Sequence, residues 1–150
     1  MTDAAASPDV FQRVREYWLS IGTELLPPEP EEAIIAAFSQ NGRLPVSCDV
    51  IRLYRTVGGF HDRGYDEEAW KLWSLKQVTE DSLKRDFVDF ADFLIDSHRH
   101  CVRFTSEETS AVFFNPGYDF DPDMRAPSLQ AFFEGYLQAV SQGKLFGFLN

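Results

Sequence analysis

The residues with the greatest capacity for chemistry lie in segment 98–101, which reads HRHC. Alternate side chains of a strand point to one face, so His98 and His100 could together bind a metal ion. With Asp96 as an acidic partner, they would suit a metal-dependent hydrolase. Zinc sites usually need three or four ligands, however, and His61 lies in a glycine-rich loop without an HExxH or CxxC companion. We therefore favour a turn between two strands, with its polar side chains in water.

Two series of aspartates could bind calcium or act as acids and bases. They are Asp86, Asp89, Asp92 and Asp96, and then Asp119, Asp121 and Asp123. The first series alternates with phenylalanines, as a solvated face alternates with a buried one. The second begins like an EF-hand loop, but it lacks the required glycine, and position 130 holds Gln where the bidentate Glu should be. We interpret the second series as an acidic loop.

No nucleophile in the sequence has a recognisable catalytic setting. There is no GxSxG motif and no cysteine and histidine motif, so Cys48 and Cys101 are interpreted as small packing residues. Gly58-Gly59 matches no phosphate-binding motif and is interpreted as the end of a helix. The sequence therefore predicts no catalytic residue, no metal and no cofactor. Two cysteines are also too few for a disulfide framework, which favours a reducing compartment.

The charge of the chain argues against one class of partner. The 150 residues include 14 Lys and Arg against 24 Asp and Glu, a formal net charge of −10. This charge repels the phosphate backbone that nucleic-acid binders must neutralise, so we expect no direct nucleic-acid binding. It raises the rate of encounter with a basic protein, although acidity is first a solubility feature and names no target.

Length and composition favour one domain over residues 1–150. Apolar residues make up 44% of the chain and include 14 phenylalanines, enough for a core without disulfides or metal. Residues 1–8 are small and polar, and we expect a flexible terminus there. That terminus lacks a basic region followed by an apolar core, and no later run approaches the ~18 apolar residues of a membrane span. The expected location is the cytoplasm.

Apolar periodicity predicts three helices in the first part of the chain. Asp9 can cap a helix that continues to Leu25, before the prolines that follow. A second helix begins at about Glu31, and Leu44-Pro45 opens a third that ends at Gly58-Gly59.

The period then changes to that of strands, and a helix closes the chain. The predicted strands are Trp70 to Leu75, Phe90 to Ile95, Cys101 to Phe104 and Ser110 to Asn115. The last two should form a hairpin, and Ser128 can cap a final helix that ends at Gly143. Helices grouped before and after a run of strands predict an α+β domain with a mostly antiparallel sheet.

Four stretches in fixed order resemble the SUKH superfamily, the Smi/Knr cell-wall-regulator-like proteins that include many bacterial toxin-immunity proteins. Segment 31–60 resembles the family's helix, Leu-Pro, helix and Gly-Gly signature, and WKLWSLKQV at 70–78 resembles its Leu-aromatic-Ser-Leu strand. Segment 90–114 resembles the central strands, with Ala91-Asp92 where the family often has that pair. PSLQAFF at 127–133 is similar to the closing helix. Two departures concern turn and packing chemistry: Thr56-Val57 precedes the glycines where many members have Asn, and Leu129 replaces an aromatic residue.

The resemblance implies a sheet of about six strands packed with helices, no cofactor, and activity through binding another protein. An immunity protein would neutralise a cognate toxin. A nuclease or deaminase is the best candidate, because the basic groove of such an enzyme could accept an acidic surface. The same superfamily includes regulatory adaptors, so that role stays open as an alternative.

Two loops are predicted to contact the partner, because loops carry recognition and these combine acidic residues with aromatic ones. The predicted contact residues are Asp62, Tyr65, Asp66, Glu67 and Glu68 in the first loop, and Tyr118, Asp119, Phe120, Asp121 and Asp123 in the second.

Overall fold

The structure is a computed structural model that describes residues 9–39, 45–62, 64–81, 87–94, 98–115 and 121–150. Its helices and strands, in chain order, are α1 (Val10–Ser20), α2 (Glu31–Phe38), α3 (Cys48–Thr56), β1 (Trp70–Leu72), α4 (Leu75–Asp81), β2 (Val88–Phe93), β3 (His98–Phe104), β4 (Ser110–Asn115), β5 (Asp123–Ala126), α5 (Leu129–Ser141) and α6 (Leu145–Leu149).

The described strands form one antiparallel sheet of five strands in the order β1-β2-β3-β4-β5. Helices stand before and after it in the chain, which confirms the predicted α+β class; five strands replace the expected six or so. The hairpin predicted between β3 and β4 is present. Each strand follows its neighbour in space as well as in sequence, and α4 lies in the connection between β1 and β2.

The predicted caps of two helices are confirmed. The Asp9 carboxylate accepts a hydrogen bond from the backbone N–H of Gln12, and the Ser128 hydroxyl accepts one from Ala131. Each bond satisfies a donor that the first helical turn leaves free. The α1 helix ends at Ser20, earlier than predicted, and Gly22 follows with a φ of 83°.

Three elements were missed by the periodicity. The segment predicted as a strand from Trp70 to Leu75 stops at Leu72 and gives way to α4, because the Ser74 hydroxyl accepts a hydrogen bond from Gln77 and opens a helical turn. The short elements β5 and α6 were not predicted, since four or five residues show too little periodicity to separate strand from helix.

The interpretation of the aspartates around β2 as a solvated face was wrong for the two that the structure describes. All six residues of β2 are buried, including Asp89 and Asp92. Asp89 pairs with Arg99 at 3.0 Å, and Asp92 accepts a hydrogen bond from the indole of Trp73 at 2.6 Å. A carboxylate can lie in a buried strand when it has an ion-pair or hydrogen-bond partner. The alternation of Asp with Phe in the sequence does not show whether such a partner exists. Asp86 and Asp96 lie outside the described residues.

An aromatic cluster joins the helices to one face of the sheet. The Trp18 ring of α1 stacks on Trp70 of β1 with centroids 5.9 Å apart, and both rings contact Phe133 and Tyr136 of α5. All four side chains are fully buried. Burying such large rings is the main favourable contribution to folding, and their edge-to-face contacts add direction to it.

Asp49 links three elements through hydrogen bonds that its buried carboxylate accepts. The backbone N–H and hydroxyl of Ser110, at the start of β4, donate to it at 2.8 and 2.6 Å, and the N–H of Leu129, at the start of α5, donates at 3.2 Å. Asp49 itself stands in the first turn of α3. This single side chain therefore connects α3, β4 and α5.

We expect Asp49→Ala to lower the free energy of unfolding by about 3 kcal/mol or more, because it leaves several buried donors without an acceptor. Asp9→Ala is the matched control: it removes an exposed helix cap and should cost about 1 kcal/mol. Urea unfolding of the two variants measures the difference. Equal losses would show that Asp49 does no more than cap a helix.

Candidate functional site

The two predicted contact loops lie at the same end of the sheet. Trp70, the first residue of β1, pairs with the last residue of β2, and Asp123, the first of β5, pairs with Phe114 near the end of β4. Loop 62–68 precedes β1, and residues 121 and 122 precede β5. Four strand spacings of about 4.8 Å separate the loops, so they flank this end at roughly 19 Å from each other.

Most of the described acidic residues in these loops reach solvent. Asp62, Glu67, Asp121 and Asp123 are exposed, and Glu68 is half-buried. We call these five residues the acidic end. Tyr65 is half-buried beside them, with the Lys71 ammonium 5.7 Å from its ring centroid. Tyr118, Asp119 and Phe120 lie outside the described residues, so their part of the prediction stays untested.

Asp66, which was predicted to contact the partner, is not a surface residue. It is buried, and its carboxylate accepts hydrogen bonds from the backbone N–H groups of Glu68 and Trp70 and from the hydroxyl of Tyr136. The Trp18 indole donates in turn to the Tyr136 oxygen at 3.0 Å. The run Asp66-Glu67-Glu68 has the sequence of a solvated turn, so no neighbouring residue indicated that one of its three carboxylates is buried.

The bonds to Asp66 hold the acidic loop against the core. Burial raises the pKa of Asp66 above its usual value of 3.8, while the hydrogen bonds from Tyr136 and the two backbone groups oppose that rise. Burial, followed by the nearby Asp66 charge, also raises the pKa of Tyr136. Tyr136 therefore stays protonated and can keep donating to the carboxylate.

Contacts from α1 and the chain after it extend this arrangement, and the sequence had not singled them out. The Tyr17 hydroxyl donates to the carboxylate of Glu67, and burial together with that contact raises the pKa of Tyr17. The exposed Glu24 carboxylate lies 3.9 Å from the imidazole of His61, next to Asp62. Tyr17 had no sequence signal, because its partner is 50 residues away.

Two residues at this end have strained backbone conformations. Ala69 has a φ of 62° and Leu94 a φ of 57°, both in the left-handed region that L residues other than glycine, asparagine and aspartate seldom adopt. They are bonded to each other, since the N–H of Leu94 donates to the carbonyl of Ala69 at 3.1 Å. Strain of this kind persists only where the surrounding structure enforces it, and it is concentrated at functional positions.

The two histidines of segment 98–101 lie on one face of β3, and His98 is half-buried there. His100 is fully buried, and its Nδ1 accepts a hydrogen bond from the Trp70 indole at 3.1 Å. His98 stacks on Phe114 at 5.3 Å, and His100 contacts the same ring. The interpretation of this segment as a solvated turn was therefore wrong. Pairing with β2 and β4 makes it a strand from residue 98 onward.

The surroundings of His100 suit a neutral packing residue better than a metal ligand. The Arg125 guanidinium lies 4.4 Å from the centroid of Phe114, the ring between the two histidines, and would repel a cation. Burial, then the charges of Arg125 and His98, lower the pKa of His100 to about 3. Among the residues that the structure describes, no three His, Cys, Asp or Glu side chains are grouped as metal ligands.

Cys101 has the environment of a packing residue. Its side chain is buried, and burial followed by the charge of Asp89 raises the pKa of the thiol. A thiol that resists ionisation is a poor nucleophile. Cys48 is half-buried at the first position of α3.

Neither models of protein families nor curated protein sequences match this chain. The resemblance to the SUKH superfamily therefore rests on the sequence pattern described above. Among the described residues, no helix is both long and apolar enough to span a membrane.

His100 makes stability depend on pH in a defined direction. Its pKa is about 3 in the folded protein against 6.5 ordinarily, so the unfolded chain binds a proton first as the pH falls. The free energy of unfolding therefore falls as the pH drops below about 6.5, and at pH 5 it is about 2 kcal/mol lower than at neutral pH. Urea unfolding measures this effect. We expect the difference in the free energy of unfolding between wild type and His100→Gln to shrink by about 2 kcal/mol between neutral pH and pH 5. A difference independent of pH would contradict the burial of a neutral His100.

Ala69→Gly should raise the free energy of unfolding by about 1 kcal/mol, because glycine adopts a positive φ without steric cost. Ala36→Gly is the control, since Ala36 is an exposed residue of α2, where glycine should cost about 1 kcal/mol. Thermal or urea unfolding shows whether each substitution raises or lowers the free energy of unfolding. A loss of stability in both variants would contradict strain at position 69.

Proposed function

We propose that this chain is a cytoplasmic, non-enzymatic protein that binds another protein, and that it acts as an immunity protein against a cognate toxin. The observation that carries the proposal is the acidic end: exposed carboxylates on both sides of one end of the sheet, with the first loop bonded to the core through Asp66. A negatively charged surface of this kind suits a partner with a basic groove.

The geometry favours binding because the loop is held in place before any partner arrives. Asp66 is bonded to the backbone of its own loop and, through Tyr136 and Trp18, to the centre of the aromatic cluster. A surface that needs no ordering on association loses less entropy when it binds. Its charges can then be aligned with those of the partner, which gives specificity and a fast association rate.

A nuclease or deaminase toxin is the partner class that this surface fits best. Such an enzyme must attract nucleic acid with lysine and arginine side chains along its groove. Carboxylates spread over roughly 19 Å could neutralise several of those cations at once and exclude the substrate. The binding residues we propose are the five of the acidic end together with Tyr17 and Tyr65.

The proposal is tested by producing the chain together with any toxin domain that a gene next to its own encodes. We expect protected cells and a stable complex of the two proteins. If cells that produce the toxin survive without the chain, the immunity function is contradicted. It is also contradicted if cells that produce both proteins die and no complex forms.

Charge reversal tests the surface itself. We expect Asp62→Lys combined with Glu67→Lys to slow association with that toxin domain about tenfold at low salt, and less at high salt. The control is Glu107→Lys combined with Glu108→Lys, which reverses two exposed charges on the turn between β3 and β4, at the opposite end of the sheet. Stopped-flow association rates compare them. Equal slowing would show that only net charge matters and that this surface is not the interface.

A further inference from the structure

A pocket whose chemistry differs from that of the acidic end lies between α1 and the end of α3. Gln12, Arg15 and Glu16 of α1 line it together with Arg55 and Thr56 of α3 and with Pro28, around a volume of about 390 Å³. Pockets that take small ligands begin at roughly 300 Å³. None of these residues belongs to the acidic end.

The wall of this pocket is fixed by close backbone contacts. The N–H of Glu29 donates to the carbonyl of Tyr54 at 2.9 Å, and the N–H of Gly58 donates to Leu26 at 3.1 Å. A Cβ atom on Gly58 would collide with the carbonyl oxygen of Pro27, so only glycine allows the two segments to come this close. The proline segment, which includes Pro28, is thereby held against the end of α3.

Arg15 differs from the neighbouring arginines in its bonding. Arg13 pairs with Glu134, Arg52 lies 3.7 Å from Asp9, and Arg55 lies 3.7 Å from Glu31. Within the described part of the chain, the half-buried Arg15 has neither an ion pair nor a hydrogen bond from its guanidinium. Its planar set of N–H donors is shaped to bind two oxygens of one anion.

We propose that this pocket binds an oxyanion, a phosphate or carboxylate group of a small molecule, between the guanidinium groups of Arg15 and Arg55. The Gln12 amide can donate a further hydrogen bond. The C-terminal end of α3 carries a partial negative charge that opposes an anion, and so does Glu16. Attraction therefore depends on the two arginines, and removing Glu16 should strengthen binding. This site does not depend on the proposed function.

The test is titration of the whole chain with pyrophosphate and with tricarballylate at constant low ionic strength, followed by calorimetry. We expect at least one of the two to bind with a Kd of about 1 mM or lower. Arg15→Gln and Arg55→Gln should each weaken binding about tenfold, and Glu16→Gln should strengthen it about threefold. Arg13→Gln, which removes the same charge from α1 outside the pocket, should leave binding within about twofold.

The two probes also separate the possible ligands. Tighter binding of pyrophosphate assigns the site to phosphate esters, and tighter binding of tricarballylate assigns it to polycarboxylates. The proposal is overturned if neither probe binds at about 10 mM, a concentration well above the expected Kd. It is equally overturned if Arg13→Gln weakens binding as much as Arg15→Gln, or if Glu16→Gln has no effect, since binding would then be unspecific.

Discussion

The buried carboxylate of Asp66 is the constraint on which the first loop of the acidic end depends. It accepts hydrogen bonds from two backbone groups of its own loop and from Tyr136, whose oxygen accepts the Trp18 indole. A charge placed in the interior is tolerated only when it is well bonded. The backbone N–H groups and the Tyr136 hydroxyl that donate to Asp66 are therefore held in position. The neighbouring Glu67 and Glu68 extend from a fixed backbone.

Long, strongly periodic elements could be predicted from the sequence, because their apolar faces and caps are local features. Helices α1, α2, α3 and α5 and the β3-β4 hairpin were expected, and so was the α+β class. The short α4, β5 and α6 were not, since their packing against the rest of the chain decides between helix and strand.

The candidate site was only partly predictable, for a physical reason of the same kind. Exposed carboxylates such as Asp62 and Glu67 are recognisable from their type and from the loop that holds them. In the sequence, Asp66 and His100 look like solvated polar residues. They are buried because Tyr136 and Trp70, 70 and 30 residues away, are their hydrogen-bond partners. Such long-range pairings leave no trace in a single sequence.

We expect the acidic end to be a fixed surface that contacts a basic protein. Amide hydrogen exchange of the chain, alone and bound to the toxin domain that we propose as its partner, tests this most directly, since binding slows exchange where it covers the backbone. Slower exchange on complex formation is expected in residues 64–70 and 121–126, with turn 105–109 unchanged. Slower exchange at turn 105–109, with residues 64–70 unchanged, would contradict it.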